Sequence, residues 1–313
     1  MSRDARSRRP GTGATAHLSI LALLLQISST AAQPQATLVG RVTVVSWPGQ
    51  ATLGAALAEA ADRSAPFPGI GPLPDRPIRL ILAPSRTLFD SLTRRRMPSW
   101  SEGAAFPDIG TIVLLTDRAT PRSTALRHEL AHLALRWRVG PRAPLWFEEG
   151  YSAYAAAEWN RLDALRLNWR LARGTSAAGG GVMELDQLDR ALRGDAIDAG
   201  TAYALATTAV LFLDRWGAER GLTPLIDQLA EQPGFDAALR ATYHVTAGDF
   251  EARWQRDVAS RYGWVSWAGA VGLFWALAGG LMVILVTLRR RRDRARRAGL
   301  DEPEVLDEQG IAG

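Results

Sequence analysis

The sequence predicts an α+β fold: a small N-terminal mixed sheet, a mostly helical half, and a single apolar helix near the C-terminal end. Three observations carry this. Segments of strand composition cluster before residue 117, nearly everything from Pro121 to 261 has helical period, and residues 264–288 contain no charge. Taken in order, "ATLVGRVTVVS" (36–46) reads as strand and "QATLGAALAEAADR" (50–63) as helix. A Pro/Gly-rich loop (65–77) leads into the strand "PIRLILAP" (77–84), rich in β-branched residues and leucine. Ser85 sits where a helix N-cap belongs, so 85–95 reads as a short helix. "MPSWSEGAAFPD" reads as loop and "GTIVLLT" (110–116) as a further strand. Helical period then covers 121–139, 144–173, 183–193, 200–217, 221–230, 234–243 and 247–261, with the Gly-rich stretch 174–181 as a break. A sheet followed by helices suits a site between the two halves.

Charge is placed unevenly. All 37 basic residues are arginine and the formal net charge is +5. Residues 33–263 carry 26 Arg against 25 acidic residues, so the middle of the chain is nearly neutral and the basicity belongs to the ends. That distribution is a topology signal and argues against a nucleic-acid partner. With no cysteine, a disulfide framework, a thiolate metal site and a Cys nucleophile are all excluded.

The ends predict export and anchoring. Residues 1–32 have an Arg-bearing n-region, the apolar core "LSILALLLQI" and small residues before Gln33, the layout of a secretory signal peptide; an uncleaved signal anchor is the alternative. Residues 264–288 are long enough, as a transmembrane helix, to span a hydrocarbon core of roughly 30 Å. The following "RRRRDRARR" (289–297) places the tail 289–313 in the cytoplasm and the domain 33–263 outside a cell membrane crossed once. The acidic remainder of that tail reads as disordered. Gly272, Ala276 and Gly280 fall four apart and offer a face for a homodimer contact, with ordinary filler in a Gly/Ala-rich chain as the alternative.

The chemistry is concentrated in "STALRHELAHLALRW" (123–137). On a helix, residues four apart share a face, so His128 and His132 can aim imidazole nitrogens at one ion, as zinc needs at about 2.0–2.1 Å. Glu129, rotated about 100° from His128, stands where a general base for a zinc-activated water belongs. Histidine is scarce: the chain has four, and the other two are His17 in the signal and His244. An amphipathic helix with incidental histidines is the plain alternative. A catalytic zinc wants three protein ligands and one open position. The following helix start, "GPRAPLWFEEGYSAYAAAEW" (140–159), offers Glu148 and Glu149, with Glu149 17 residues after His132.

HELAH followed by "PLWFEEGYSAY" resembles the gluzincin metallopeptidases, in particular small bacterial proteins with a peptidase MA-like domain. Trp146, Glu149, Gly150 and Tyr154 match as they stand. The resemblance covers about 77–260 and implies Glu149 as the third zinc ligand, Glu148 as its neighbour, Glu129 as the catalytic base and one zinc ion as cofactor. It also implies a peptide or protein substrate. "SWSEGAA" then "GTIVLL" is similar to the family's loop and edge strand, over which an extended peptide would pair by its main chain. Tyr203 is the position for a phenol that stabilises the oxyanion, with a structural tyrosine as the alternative; His244 is a weaker candidate for that part.

Two departures stand out. Thermolysin-like members carry an Asp four residues after the glutamate ligand, orienting a zinc histidine; here that place is Ala153. The aminopeptidase strand motif is not reproduced by "SEGAAFPDIG", which favours internal cleavage, with Glu102 as the reservation. The expected function is therefore that of a membrane-anchored zinc metallopeptidase, an endopeptidase. The alternative is a zinc-binding but catalytically weak or inactive binding or assembly module. An intramembrane protease is excluded, because arginines flank HELAH and the apolar span lies far downstream.

Overall fold

A computed structural model describes residues 33–99, 101–117, 122–159, 163–164, 167–168, 182–194, 199–262 and 264–298, with the side chains of 264–274 and 293–298 excepted. The expected signal peptide at 1–32, the Gly-rich break at 174–181 and the acidic end of the tail lie outside these residues.

Five strands form one mixed sheet in the order β1-β2-β3-β5-β4. Strands β1 (Gln35–Val39) and β2 (Val42–Ser46) divide the single segment expected at 36–46. Gly40 turns the chain at φ 57°, a conformation that carries no steric cost only in glycine, and the two strands pair antiparallel. Helix α1 (Ala51–Asp62) crosses to β3 (Ile78–Ala83), which pairs parallel with β2. Helix α2 (Arg86–Leu92) starts at Ser85, whose hydroxyl accepts from the Leu88 N–H.

The edge strand differs from expectation. The segment expected at the edge, "GTIVLL", is β5 (Thr111–Leu115); it is buried throughout and lies between β3, to which it is parallel, and β4. A continuous apolar run is what an interior strand requires. The edge belongs to β4 (Gly103–Phe106), inside the segment read as loop. "GAAF" lacks β-branched residues, and its strand conformation comes from antiparallel pairing with β5.

The helical half comprises α3 (Ser123–Val139), α4 (Leu145–Ala155), α5 (Leu185–Arg193), α6 (Ala199–Trp216), α7 (Thr223–Glu231), α8 (Phe235–Tyr243) and α9 (Ala247–Tyr262). Helix α4 is far shorter than the expected 144–173. One core runs from Val42, Leu80 and Ile112 on the sheet through Leu130, Leu133 and Ala134 of α3 to Trp146, Phe147, Ala206 and Trp254. The face of α3 opposite its histidines is thus buried between sheet and helices, which fixes the height and rotation of HELAH.

The uncharged stretch 264–288 lies within α10 (Trp264–Ala298). Among the described residues no helix is long and apolar enough to cross a membrane. The first eleven side chains of the expected span, 264–274, are outside that set.

Candidate metal centre

Helix α3 places His128 and His132 one turn apart, and their Nε2 atoms lie 3.2 Å from each other. Each Nε2 is 3.6 Å from Oε2 of Glu149 on α4. A tetrahedral site with bonds of about 2.0–2.1 Å has ligand–ligand edges of about 3.3–3.4 Å. The three atoms therefore stand at the separations that a single zinc-sized ion would impose. Two imidazoles and one carboxylate also make a donor set suited to zinc. Among the described residues these are the three brought close enough to hold a metal ion.

Helix α4 is aimed by its first turn. Trp146 is buried and packs against Phe235 at 5.1 Å and Phe250 at 5.9 Å between ring centroids. Its backbone N–H, one of the donors a helix start leaves without an internal partner, is satisfied by Asp189 Oδ1 at 2.7 Å. Glu149, three residues on, then faces α3. The residue after Glu149 is glycine for a steric reason: a Cβ on Gly150 would collide with the backbone carbonyl of Ala206 on α6. This close approach brings Tyr203, one turn before Ala206, to the site, where its hydroxyl donates to Glu149 Oε2.

Glu129 is 7 % exposed and faces β4. A Cβ on Gly103 would overlap its carboxylate, so the edge strand approaches α3 closely because this residue has no side chain. The cleft here, about 460 Å³, is lined by Gly103, Ala104 and Ala105 of β4, by His128, Glu129 and His132, by Glu148 and Glu149, and by Tyr203. Arg96, Arg136 and Arg193 also line it.

As protein groups alone, these side chains shift one another. Burial raises the pKa of Glu129, against the pull of the two histidines. Burial raises that of Glu148 also. Burial would raise Glu149 too, yet His132 and His128 hold it well below the usual carboxylate range. Burial works against the charged imidazoles, but hydrogen bonds to Glu149 and Glu158 raise His128 well above its ordinary value, and Glu149 raises His132. Burial, then Glu149, pushes the Tyr203 phenol far up.

Five site residues picked from the sequence fall in this cleft: His128, Glu129, His132, Glu149 and Tyr203. His244 does not; it ends α8 at φ 58°. His17 lies outside the described residues. Glu102 makes an ion pair with Arg122 at 3.2 Å and is not among the side chains lining this cleft. Glu158 was missed by sequence reasoning: its Oε1 is 3.1 Å from His128 Nδ1. No helical spacing signals it, because α4 has already ended when the chain reaches it.

Residues 69–260, more than half of the chain, match the family model described as Peptidase MA superfamily. No curated protein matches the chain.

Proposed function

We propose that this chain, which belongs to the Peptidase MA superfamily, is a zinc-dependent peptidase that cleaves internal peptide bonds on the outer side of a membrane. The observation that carries this reading is the spacing of the His128, His132 and Glu149 ligand atoms beside a buried glutamate in an open cleft. Zinc held by those three residues would acidify a water molecule and polarise the scissile carbonyl.

The chain's own groups supply the rest. Glu129 takes the proton from the attacking water and delivers it to the leaving amine. Its burial raises its pKa above the ordinary carboxylate value, the direction that suits a group that both accepts and returns a proton. Tyr203, which lines the cleft and donates to Glu149 Oε2, is the donor for the developing oxyanion in this reading. Strand β4 pairs with β5 along one edge only, so its other edge can hold an extended peptide by main-chain hydrogen bonds. The small side chains of Gly103, Ala104 and Ala105 leave room for that peptide.

Export and anchoring belong to the same proposal. Their support is the Arg-bearing apolar start, the uncharged stretch 264–288 and the arginines after it. In α10 the side chains of Trp275, Leu277, Leu281, Val283, Ile284 and Leu288 are all exposed, apolar surface that a bilayer would cover.

The non-catalytic alternative drew on two gaps, an absent carboxylate partner for a zinc histidine and an unassigned oxyanion donor. Glu158, beside His128, and Tyr203, in the cleft, are candidates for those two parts, which favours turnover. The test is cleavage of a peptide library by the purified full-length chain. Removal of zinc by a chelator should abolish cleavage and added zinc should restore it. Glu129→Gln should keep the metal and lose about 10²–10⁴ in rate. Stoichiometric zinc with no cleavage by the wild type would support the binding-module reading instead.

A further inference from the structure

Helix α4 does not simply fray after Ala155. Ala157 adopts φ 55°, its N–H donates to the Tyr154 carbonyl at 3.0 Å, and the Glu158 N–H donates to the Ala153 carbonyl at 3.0 Å. This pair of bonds is a Schellman closure, with Ala157 in the left-handed position glycine usually fills. Arg127, the residue before His128, caps the same end: its Nε donates to the Ala155 carbonyl at 3.1 Å. The rest of its guanidinium is held by Ser64 and by the carbonyls of Ala65 and Pro66, and it lies 3.9 Å above the Phe67 ring. The turn is thus pinned from both sides. It folds Glu158 back beside the Ala153 turn, and both residues line one small pocket with Tyr203. From there the Glu158 carboxylate reaches the His128 ring nitrogen that faces away from Glu149 and His132.

We propose that Glu158 is the positioning residue of the metal centre. Its Oε1 accepts from the His128 Nδ1–H, which fixes the tautomer that leaves the Nε2 lone pair free and aims it at the ligand cluster. The role that a helical residue at position 153 would fill by spacing is filled here by a residue five positions later, through a helix closure. Glu158 does not touch the reacting atoms, and it acts through His128. This inference rests on the zinc reading given above.

The experiment measures zinc affinity of the full-length chain by competition with a chromogenic chelator, alongside thermal melting of the zinc-free protein. The variants are wild type, Glu158→Ala and Glu158→Gln. Glu158→Ala is expected to bind zinc about 10–100-fold more weakly. Glu158→Gln keeps an oxygen acceptor and is expected to fall between the two. Both zinc-free variants are expected to stay folded, with melting lowered by no more than the loss of the His128–Glu158 contact. Because the readout is affinity, it does not depend on finding a substrate. If the alanine variant is poorly folded, the glutamine variant carries the test alone, and wild-type affinity there overturns the role of Glu158. Wild-type affinity in Glu158→Ala overturns it also, and leaves the zinc reading intact. A wild-type chain that binds no zinc removes the zinc reading, and this role with it.

Discussion

The two walls of the cleft are built on opposite principles. The helical wall, α3, α4 and α6, works by the side chains it presents: His128, His132, Glu149, Glu129 and Tyr203. The strand wall, β4, works by what it omits. Gly103 contributes no Cβ, and its two alanine neighbours contribute little more. Chemistry on one wall is read from residue types; on the other it is read from available space.

Substitutions should therefore damage the two walls in different ways. On the helical wall, removing one atom should suffice. Tyr203→Phe deletes the proposed oxyanion donor together with its bond to Glu149, and at saturating zinc it is expected to lower kcat by about 10²–10³, checked by steady-state kinetics. On the strand wall, adding one atom should do the damage. Gly103→Ala puts a methyl into the Glu129 carboxylate, and a base displaced by about 1 Å costs about 10²-fold in kcat, with zinc retained. A Gly103→Ala enzyme of full activity would break the comparison.

Gly150 sharpens it, since this glycine also makes room, but for a backbone. A Cβ there meets the Ala206 carbonyl, and a packed helix pair cannot yield as a side chain can. Gly150→Ala is expected to destabilise the domain by about 1–3 kcal/mol, seen as a lower Tm. Gly103→Ala should leave Tm almost unchanged.

A smaller effect comes from protons. His128 and His132 have pKa values raised above 6.5 by their acidic neighbours, so both keep a proton to higher pH than free imidazole. Zinc requires the neutral ring, and its affinity should rise as pH climbs from about 6.5, by about tenfold per pH unit for each proton displaced. Zinc-free stability runs the other way. The raised pKa values contribute stability that is complete below about 6.5 and is lost as pH rises through the folded values. A zinc Kd that is flat across this window would contradict the assignment.

The same contrast decides what the sequence reveals. His128 and His132 were legible because helical period and residue type are local properties; Glu149 was separated from Glu148 only by the family resemblance, which Trp146 and Gly150 carry. Strand β4 was not legible, since three of the four residues of "GAAF" are glycine or alanine, poor strand formers, and it takes its conformation from β5, a partner that no local pattern names. Reading β5 as the edge followed from that omission. Glu158 was hidden for another reason: α4 ends at an alanine in a left-handed conformation, so neither a glycine nor a proline marks the turn that carries it back. The reasons for Gly103 and Gly150 lie in tertiary neighbours, Glu129 and Ala206, which spacing cannot supply.

The most direct test of the metal centre is a zinc titration of the full-length chain and of Glu149→Ala, read by metal content after gel filtration. One zinc per wild-type chain is predicted, with loss of retained zinc in the variant, because two imidazoles on one helix lack the third ligand that α4 provides. A wild-type chain that emerges without zinc, or a Glu149→Ala chain that retains it fully, would contradict the account.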